Sequence, residues 1–155
     1  LSQKIGSKLE MLADFTWTEW SVINTIQIKN SATGANQSAL SYNFQDTWRV
    51  GLGGIYQLND AWKLKFGVAF DKSPVKSAAD RTMTLPDSDR TWLSLGARYQ
   101  YSKAISIDVG YTHIFFASAD TARAVDFPAG NTRQVIRGDF KTTADSLGLQ
   151  LNYNF

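Results

Sequence analysis

Cysteine is absent from this chain of 155 residues, and so are long apolar runs. Without cysteine the chain has no disulfide, no thiol chemistry and no cysteine-based metal site. No stretch of about 18 apolar residues occurs, which excludes a transmembrane helix. Neither sign of charge is in excess, since 16 Lys and Arg face 14 Asp and Glu, and nothing in that balance indicates a nucleic-acid partner.

Aromatic residues, by contrast, are abundant, with five Trp, six Tyr and nine Phe. Such residues concentrate in the interfacial girdles of membrane barrels. The mildly negative mean hydropathy is compatible with a barrel, because half of each spanning strand faces a polar lumen and lowers the average.

The last nine residues, 147–155, alternate between apolar and polar side chains without a break. Alternation at period two predicts a strand with one apolar and one polar face. The closing strand of an outer-membrane barrel has this arrangement, because it contacts lipid on one side and the lumen on the other. The apolar positions are Leu147, Leu149, Leu151, Tyr153 and Phe155.

Six alternating segments of this kind occur along the chain. They predict strands over residues 5–28, 40–58, 62–70, 90–101, 105–115 and 135–155. A phase change near residues 17–20 predicts a bulge inside the first strand. The connections alternate between long and short, with loops over 30–38, 72–89 and 117–134. This order predicts an antiparallel transmembrane β-barrel with periplasmic turns, extracellular loops and a periplasmic Phe155.

Six strands of this length cannot close a barrel, because eight is the usual minimum. An open sheet would also leave two unpaired edges in lipid. We therefore expect residues 1–155 to form the C-terminal part of a single, larger barrel domain. The chain begins at Leu1 with no initiator Met and no signal peptide, which predicts either a processed chain or a fragment.

Two motifs resemble the FadL/TodX family of outer-membrane transporters of hydrophobic compounds. They are FGVAFDKSPV at 66–75 and LPDSDRTWLSLG at 85–96. The segments FTWTEWS at 15–21, DTWRVGLG at 46–53 and IDVGY at 107–111 are also similar to that family. The resemblance implies a fourteen-stranded barrel with an N-terminal hatch, of which this chain supplies the last six strands.

The same resemblance implies a location in the Gram-negative outer membrane and passive transport of long-chain fatty acids or aromatic or alkane hydrocarbons. It implies no enzymatic activity and no cofactor or metal. The expected partners are the hydrophobic substrate, outer-membrane lipid and lipopolysaccharide. The terminal aromatic Phe155 resembles the C-terminal signal that the barrel-assembly machinery recognises.

Seven residues are predicted to face the lumen and to line the ligand path. They are Arg49, Asp71, Arg90, Trp92, Arg98, Ile114 and Phe116. Asp71 either borders the pocket or caps the Pro-containing turn. Arg90 either holds a fatty-acid carboxylate or pairs with Asp71 or Asp108. Arg49 is an inward cation that is solvated or salt-bridged, and Arg98 is predicted to point inward beside Arg90.

The apolar residues Trp92, Ile114 and Phe116 suit a hydrophobic ligand and would equally suit packing against a hatch. The family's ligand lysine falls near Leu40, which gives weight to a neutral hydrocarbon. Two rivals remain open: a structural or small enzymatic barrel, which as an enzyme needs an inward histidine, and a soluble lipid-binding barrel. The single histidine, His113, is predicted to face lipid near the rim.

Overall fold

The computed structural model of the chain describes residues 1–127 and 132–155, and nearly all of its regular structure is antiparallel β-strand. Among the described residues no helix is long and apolar enough to cross a membrane. The strands are β1 Ser2–Ile5, β2 Leu9–Thr18, β3 Thr25–Lys29, β4 Asn36–Ser41, β5 Thr47–Gln57, β6 Trp62–Asp71, β7 Arg90–Gln100, β8 Ile105–Phe116, β9 Ala119–Phe127, β10 Thr132–Phe140 and β11 Thr143–Tyr153.

Seven of these strands form one sheet in the order β1-β2-β5-β6-β7-β8-β11. The remaining strands form two separate hairpins, β3–β4 and β9–β10. The all-β, antiparallel fold predicted from the sequence is confirmed. Each of the six predicted strands has a counterpart in the sheet, and β1 is an additional strand.

The seven-stranded sheet has one apolar and one polar face. Residues directly opposite each other on neighbouring strands lie on the same side of the sheet, and the register places apolar residues opposite apolar ones. Leu52, Val68, Leu93 and His113 are one such row of the apolar face. Gly53, Gly67, Ser94 and Thr112 are the adjoining row of the polar face. The large side chains of the apolar face are mostly exposed, including Leu147 at 79% and Leu149 at 77%, so this face is not the interior of a soluble core.

Short turns connect the strands at one end of the sheet, which we call the short-turn end. In the β5–β6 turn the side-chain oxygen of Asn59 accepts hydrogen bonds from the N–H groups of Ala61 and Trp62, at 3.0 and 2.9 Å. Ser102 acts in the same way in the β7–β8 turn. These contacts close both turns locally. We call the opposite end, where residues 72–89 connect β6 to β7, the long-connection end.

The prediction of a single bulged strand over residues 5–28 is wrong, because three separate strands, β1, β2 and β3, include residues of this segment. Gly6, with a φ of 65°, ends β1 in a turn, and β2 then stops at Thr18. A 3-10 turn at Trp20–Val22 follows, and the carboxylate of Asp46 accepts the N–H of Ser21 at 2.9 Å. The phase change therefore marks the end of a strand, because a partner distant in sequence stabilises the turn.

The second and sixth predicted strands are also interrupted. Residues 42–46 separate β4 from β5, and Asn43 adopts a left-handed φ of 50° there. Residues 141–142 separate β10 from β11. The predicted loops 30–38 and 117–134 include parts of the two hairpins, although residues 128–131 of the second loop lie outside the described part of the chain.

Most of the buried side chains cluster at the long-connection end. The members are Phe44, Thr47, Ser73, Val75, Ser88, Ala119 and Thr121. The connections also bond to one another there, as where the Gln45 amide nitrogen donates to the Ser73 carbonyl at 3.1 Å. The connections at this end therefore form a packed layer that fixes the ends of β5, β6 and β7.

Candidate functional site

Four of the seven predicted site residues form one row across the polar face at the long-connection end. Arg49 on β5 lies opposite Asp71 on β6, which lies opposite Arg90 on β7. Arg90 in turn lies opposite Phe116 on β8. The strand register alone therefore brings together side chains that are up to 67 positions apart in the sequence.

Trp92 and Ile114 form the adjoining row, because they are directly opposite each other on β7 and β8. Ala69 and Gly51 continue this row on β6 and β5. A cleft of about 230 Å³ borders Arg49, Asp14 and Trp92. We call the two rows together the aromatic patch: Arg49, Asp71, Arg90, Trp92, Ile114 and Phe116.

Ion pairs engage the guanidinium of Arg90 on two sides. One terminal nitrogen lies 2.9 Å from an oxygen of Asp71, and the other lies 3.3 Å from an oxygen of Asp87. The hydroxyl of Ser73 donates to the second Asp87 oxygen at 2.9 Å. Because Asp87 and Ser73 belong to the connection 72–89, Arg90 holds that connection against the sheet. The pairing with Asp71 is the alternative that the sequence analysis had left open.

A second ion pair closes the same connection at its two ends. The ammonium of Lys72 lies 2.8 Å from one oxygen of Asp89. The other oxygen of Asp89 accepts the N–H of Ser73 at 2.9 Å. The FGVAFDKSPV and LPDSDRTWLSLG motifs therefore contact each other directly.

Arg49 is less engaged than Arg90. Its shortest contact with a carboxylate is 3.6 Å, to Asp14, and its side chain is 41% exposed. The guanidinium carbon lies 5.7 Å from the ring centre of Trp92, within the range of a cation–π contact. Arg49 is therefore the cation of the aromatic patch that has room for a further anionic partner.

Two nitrogen atoms of the patch are buried without a hydrogen-bond partner within the described residues. They are Nε of Arg90 and Nε1 of Trp92. Buried N–H groups are rarely left unpaired in folded proteins.

Arg98 is on the polar face but does not belong to the aromatic patch. It lies eight residues from Arg90 along β7, near the short-turn end, and opposite Asp108. Its Nε and one terminal nitrogen are 2.9 Å from the Asp108 carboxylate. Lys65 and Asn152 bind the same carboxylate at 2.7 and 2.9 Å, so Asp108 ties four strands together.

Asp14 and Asp87 contact the arginines of the aromatic patch and were not among the predicted site residues. Asp14 lies opposite Gly51 on the polar face, and its carboxylate occupies the space above that glycine. Its position in the alternation of β2 was visible in the sequence. The register that brings it to Arg49 was not.

His113 lies on the apolar face, as predicted. Its Nδ1 is 2.7 Å from Asp145, directly opposite on β11, and the Tyr111 hydroxyl donates to the same oxygen at 2.5 Å. Leu40 lies in β4, outside the seven-stranded sheet. Among the described residues no group of three or more His, Cys, Asp or Glu side chains could hold a metal ion.

Comparisons with known proteins show which family this chain resembles. The family described as "Outer membrane protein transport protein (OMPP1/FadL/TodX)" matches residues 1–155. An outer membrane protein of Neisseria meningitidis is 34% identical over 161 residues, which cover 98% of this chain and 34% of that protein. The long-chain fatty acid transport protein of Escherichia coli K12 is 37% identical over 99 residues, which cover 63% of this chain and 22% of that protein.

A solved structure is similar over nearly the whole chain. The crystal structure of a Pseudomonas aeruginosa FadL homologue superposes with a TM-score of 0.86 at 29% identity, covering 98% of this chain and 34% of that one. The present chain therefore spans about a third of the length of the Neisseria meningitidis and Pseudomonas aeruginosa proteins.

Proposed function

Because the chain belongs to the OMPP1/FadL/TodX family of outer-membrane transport proteins, we propose that it forms part of a passive route for hydrophobic molecules. The substrates are long-chain fatty acids or aromatic or alkane hydrocarbons. Transport follows the gradient of the ligand itself and uses no cofactor. Its relatives are about three times as long, so the complete route includes wall and gating elements beyond these residues.

In this proposal the apolar face contacts outer-membrane lipid and lipopolysaccharide, and the polar face lines the lumen. The exposed leucines of β11 support the first assignment, since water would not favour them. The short-turn end is then periplasmic and the long-connection end extracellular, as in other outer-membrane barrels. The barrel-assembly machinery binds the end of the chain through β11 and Phe155.

The observation that carries the proposal is the aromatic patch itself. A lumen wall is normally polar, yet Trp92, Ile114 and Phe116 adjoin one another on the polar face. Large apolar side chains with a few convergent polar groups are typical of sites for hydrophobic ligands. We therefore assign the patch to ligand binding near the extracellular end of the lumen.

Within the patch, different residues have different roles. Trp92, Ile114 and Phe116 contact the hydrocarbon part of the ligand. Arg90 and Asp71 hold the connection 72–89, because their charges are engaged with each other and with Asp87. Arg49 binds the carboxylate when the ligand is a fatty acid, and Arg98 has a structural role with Asp108.

The two rival functions fit the geometry less well. An enzymatic barrel needs an inward histidine, whereas His113 lies on the apolar face and is bound to Asp145. A soluble lipid-binding barrel would enclose its apolar face. In this sheet it is the polar face that carries the ion pairs of Arg90 and Asp108, while the leucines of the apolar face are exposed.

The test is uptake by cells that lack other transporters of this kind and produce the full-length protein. We expect uptake of labelled hexadecanoate or hexadecane to exceed that of cells with the empty vector. Trp92→Ala lowers this uptake by about tenfold, since a buried aromatic contact contributes on the order of 1–3 kcal/mol.

The matched control is Leu93→Ala, which truncates the adjacent residue on the apolar face and leaves uptake near the wild-type level. Uptake equal to the empty vector for both ligands would refute the proposed transport. Equal losses in the two variants would remove Trp92 from the ligand path.

A further inference from the structure

The polar face carries an excess of positive charge near the short-turn end. Two adjoining rows cross the sheet there, one through Lys4, Glu10, Ile55 and Lys65 and the other through Gln57, Lys63, Arg98 and Asp108. These rows contain four cations and two carboxylates. The row nearest the long-connection end is different, because Arg49 and Arg90 face Asp71 within it and Asp14 beside it.

Asp108 does not neutralise this excess. Its carboxylate binds both Lys65, at 2.7 Å, and Arg98, at 2.9 Å, so two positive charges share one negative charge. Lys63 lies directly opposite Arg98 and two residues from Lys65 on the same face. Like charges directly opposite each other destabilise a sheet, and Lys63 forms no ion pair within the described part of the chain. This arrangement favours an anion beside Lys63.

A cleft is bordered by three lysines that do not bind Asp108. It measures about 340 Å³ and is bordered by Lys4, Lys8 and Lys63, together with Glu10 and Gln57. Glu10 accepts a hydrogen bond from the Ser2 hydroxyl at 2.5 Å. None of the three lysines forms an ion pair with a described residue. We call this the basic cleft.

We propose that the basic cleft binds the anionic head group of an amphiphile, which is a carboxylate or a phosphate. This inference rests on the proposed transport function. Three ammonium groups supply charge-assisted hydrogen bonds to such oxygens. The low-dielectric wall around a lumen concentrates the field of these ammonium groups, which attracts an anion towards the basic cleft. The hydrocarbon part has an apolar neighbour in Ile55, in the same cleft.

The experiment measures how well three ligands of equal chain length displace a fluorescent dodecanoate analogue from the full-length protein in an amphipathic polymer. The ligands are dodecanoate, dodecyl phosphate and neutral dodecanol. The test variant is Lys4→Gln/Lys63→Gln. The matched control is Lys103→Gln, which removes an exposed charge from the β7–β8 turn at the same end of the sheet.

We expect the double variant to bind dodecanoate and dodecyl phosphate about tenfold more weakly, which corresponds to about 1.4 kcal/mol for the two lost charge-assisted contacts together. Dodecanol binding stays unchanged, and Lys103→Gln behaves as wild type. The difference shrinks in 1 M salt, where the Debye length is about 3 Å. Whichever anion loses more affinity identifies the preferred head group, and Lys63→Arg retains binding.

Three outcomes would overturn the proposal in different ways. If the double variant binds all three ligands equally more weakly, or loses its heat-modifiable gel mobility, the lysines have a structural role in binding an acidic segment of the protein. Unchanged binding in the double variant refutes the basic cleft while leaving transport intact. If none of the ligands displaces the probe from the wild-type protein, the proposed transport and the basic cleft both fail.

Discussion

Arg90 and Asp71 lie directly opposite each other on β7 and β6, with a terminal guanidinium nitrogen 2.9 Å from a carboxylate oxygen. The second terminal nitrogen of Arg90 binds Asp87. One arginine therefore joins two strand ends to the connection between them. An arginine paired in this way contributes more to the position of residues 72–89 than to the binding of a charged ligand.

Replacing Arg90 by Ala is expected to loosen the 72–89 connection. The change leaves Asp71 and Asp87 close together without their cation. The three side chains are between 13% and 26% exposed, so we expect a loss of about 1–3 kcal/mol in unfolding free energy, below the cost at fully buried pairs. Urea unfolding in lipid vesicles measures it, and uptake of fatty acid and hydrocarbon should fall by similar factors. A selective loss of fatty-acid uptake would instead assign the ligand carboxylate to Arg90.

Replacing Arg49 by Gln is expected to distinguish charged from neutral ligands. The guanidinium reaches Asp14 only at 3.6 Å and rests on the Trp92 ring, so its charge is available to a carboxylate. We expect hexadecanoate uptake to fall about five- to tenfold while hexadecane uptake changes little. The control is Arg137→Gln on the exposed face of β10. Parallel losses for both ligands would show that Arg49 supports the patch without binding the carboxylate.

Replacing Gly96 by Ala is expected to strain the centre of the sheet. A Cβ atom at Gly96 would lie 2.9 Å from the carbonyl oxygen of Val109 and 3.6 Å from Cα of Gly110. Because backbone atoms of a paired strand cannot move aside cheaply, we expect a destabilisation of about 1–3 kcal/mol by urea unfolding. Gly110→Ala is the matched control in the same row, since nothing lies within 4 Å of its Cβ position. Equal stability of the two variants would contradict the expected strain.

Lowering the pH is expected to release the 3-10 turn at Trp20–Val22. Hydrogen bonds from the Ser21 side chain and then its N–H lower the pKa of Asp46 below its ordinary value of 3.8. Since the folded pKa is depressed, this stabilisation is complete above the ordinary value and is lost as the pH falls through the folded pKa. The amide proton shift of Ser21 should therefore titrate with a midpoint below 3.8. It should not titrate in Asp46→Asn, and a midpoint at or above 3.8 would argue against this hydrogen bond.

The alternation of side chains was sufficient to predict the sheet and the division into two faces. Segments such as 62–70 and 105–115 keep one period throughout, so their strands and inward residues follow directly from the sequence. Where the chain leaves the sheet, the pattern was misleading. Residues 17–20 contain two tryptophans and no glycine or proline, and the turn that ends the strand is stabilised by the contact between Ser21 and Asp46, 25 positions apart.

The aromatic patch was predictable in its members and not in its internal contacts. Alternation placed Arg49, Asp71, Arg90, Trp92, Ile114 and Phe116 on the polar face, but period-two reasoning says nothing about which rows are adjacent. A strand shifted by two residues would keep every side chain on its face and change every partner. For that reason the position of Arg98 beside Asp108, and the pairing of Arg90 with Asp71, required the register.

Arg123 on β9 donates to the backbone carbonyls of Asp80 and Ser41, at 3.2 and 3.1 Å. One side chain thus joins three segments that are far apart in the sequence, at the end of the sheet assigned to the cell exterior. The surface that they form together is a discontinuous epitope. An antibody raised against the folded protein here would recognise all three segments at once, would fail on the denatured chain, and would not be blocked by any single peptide from the loops.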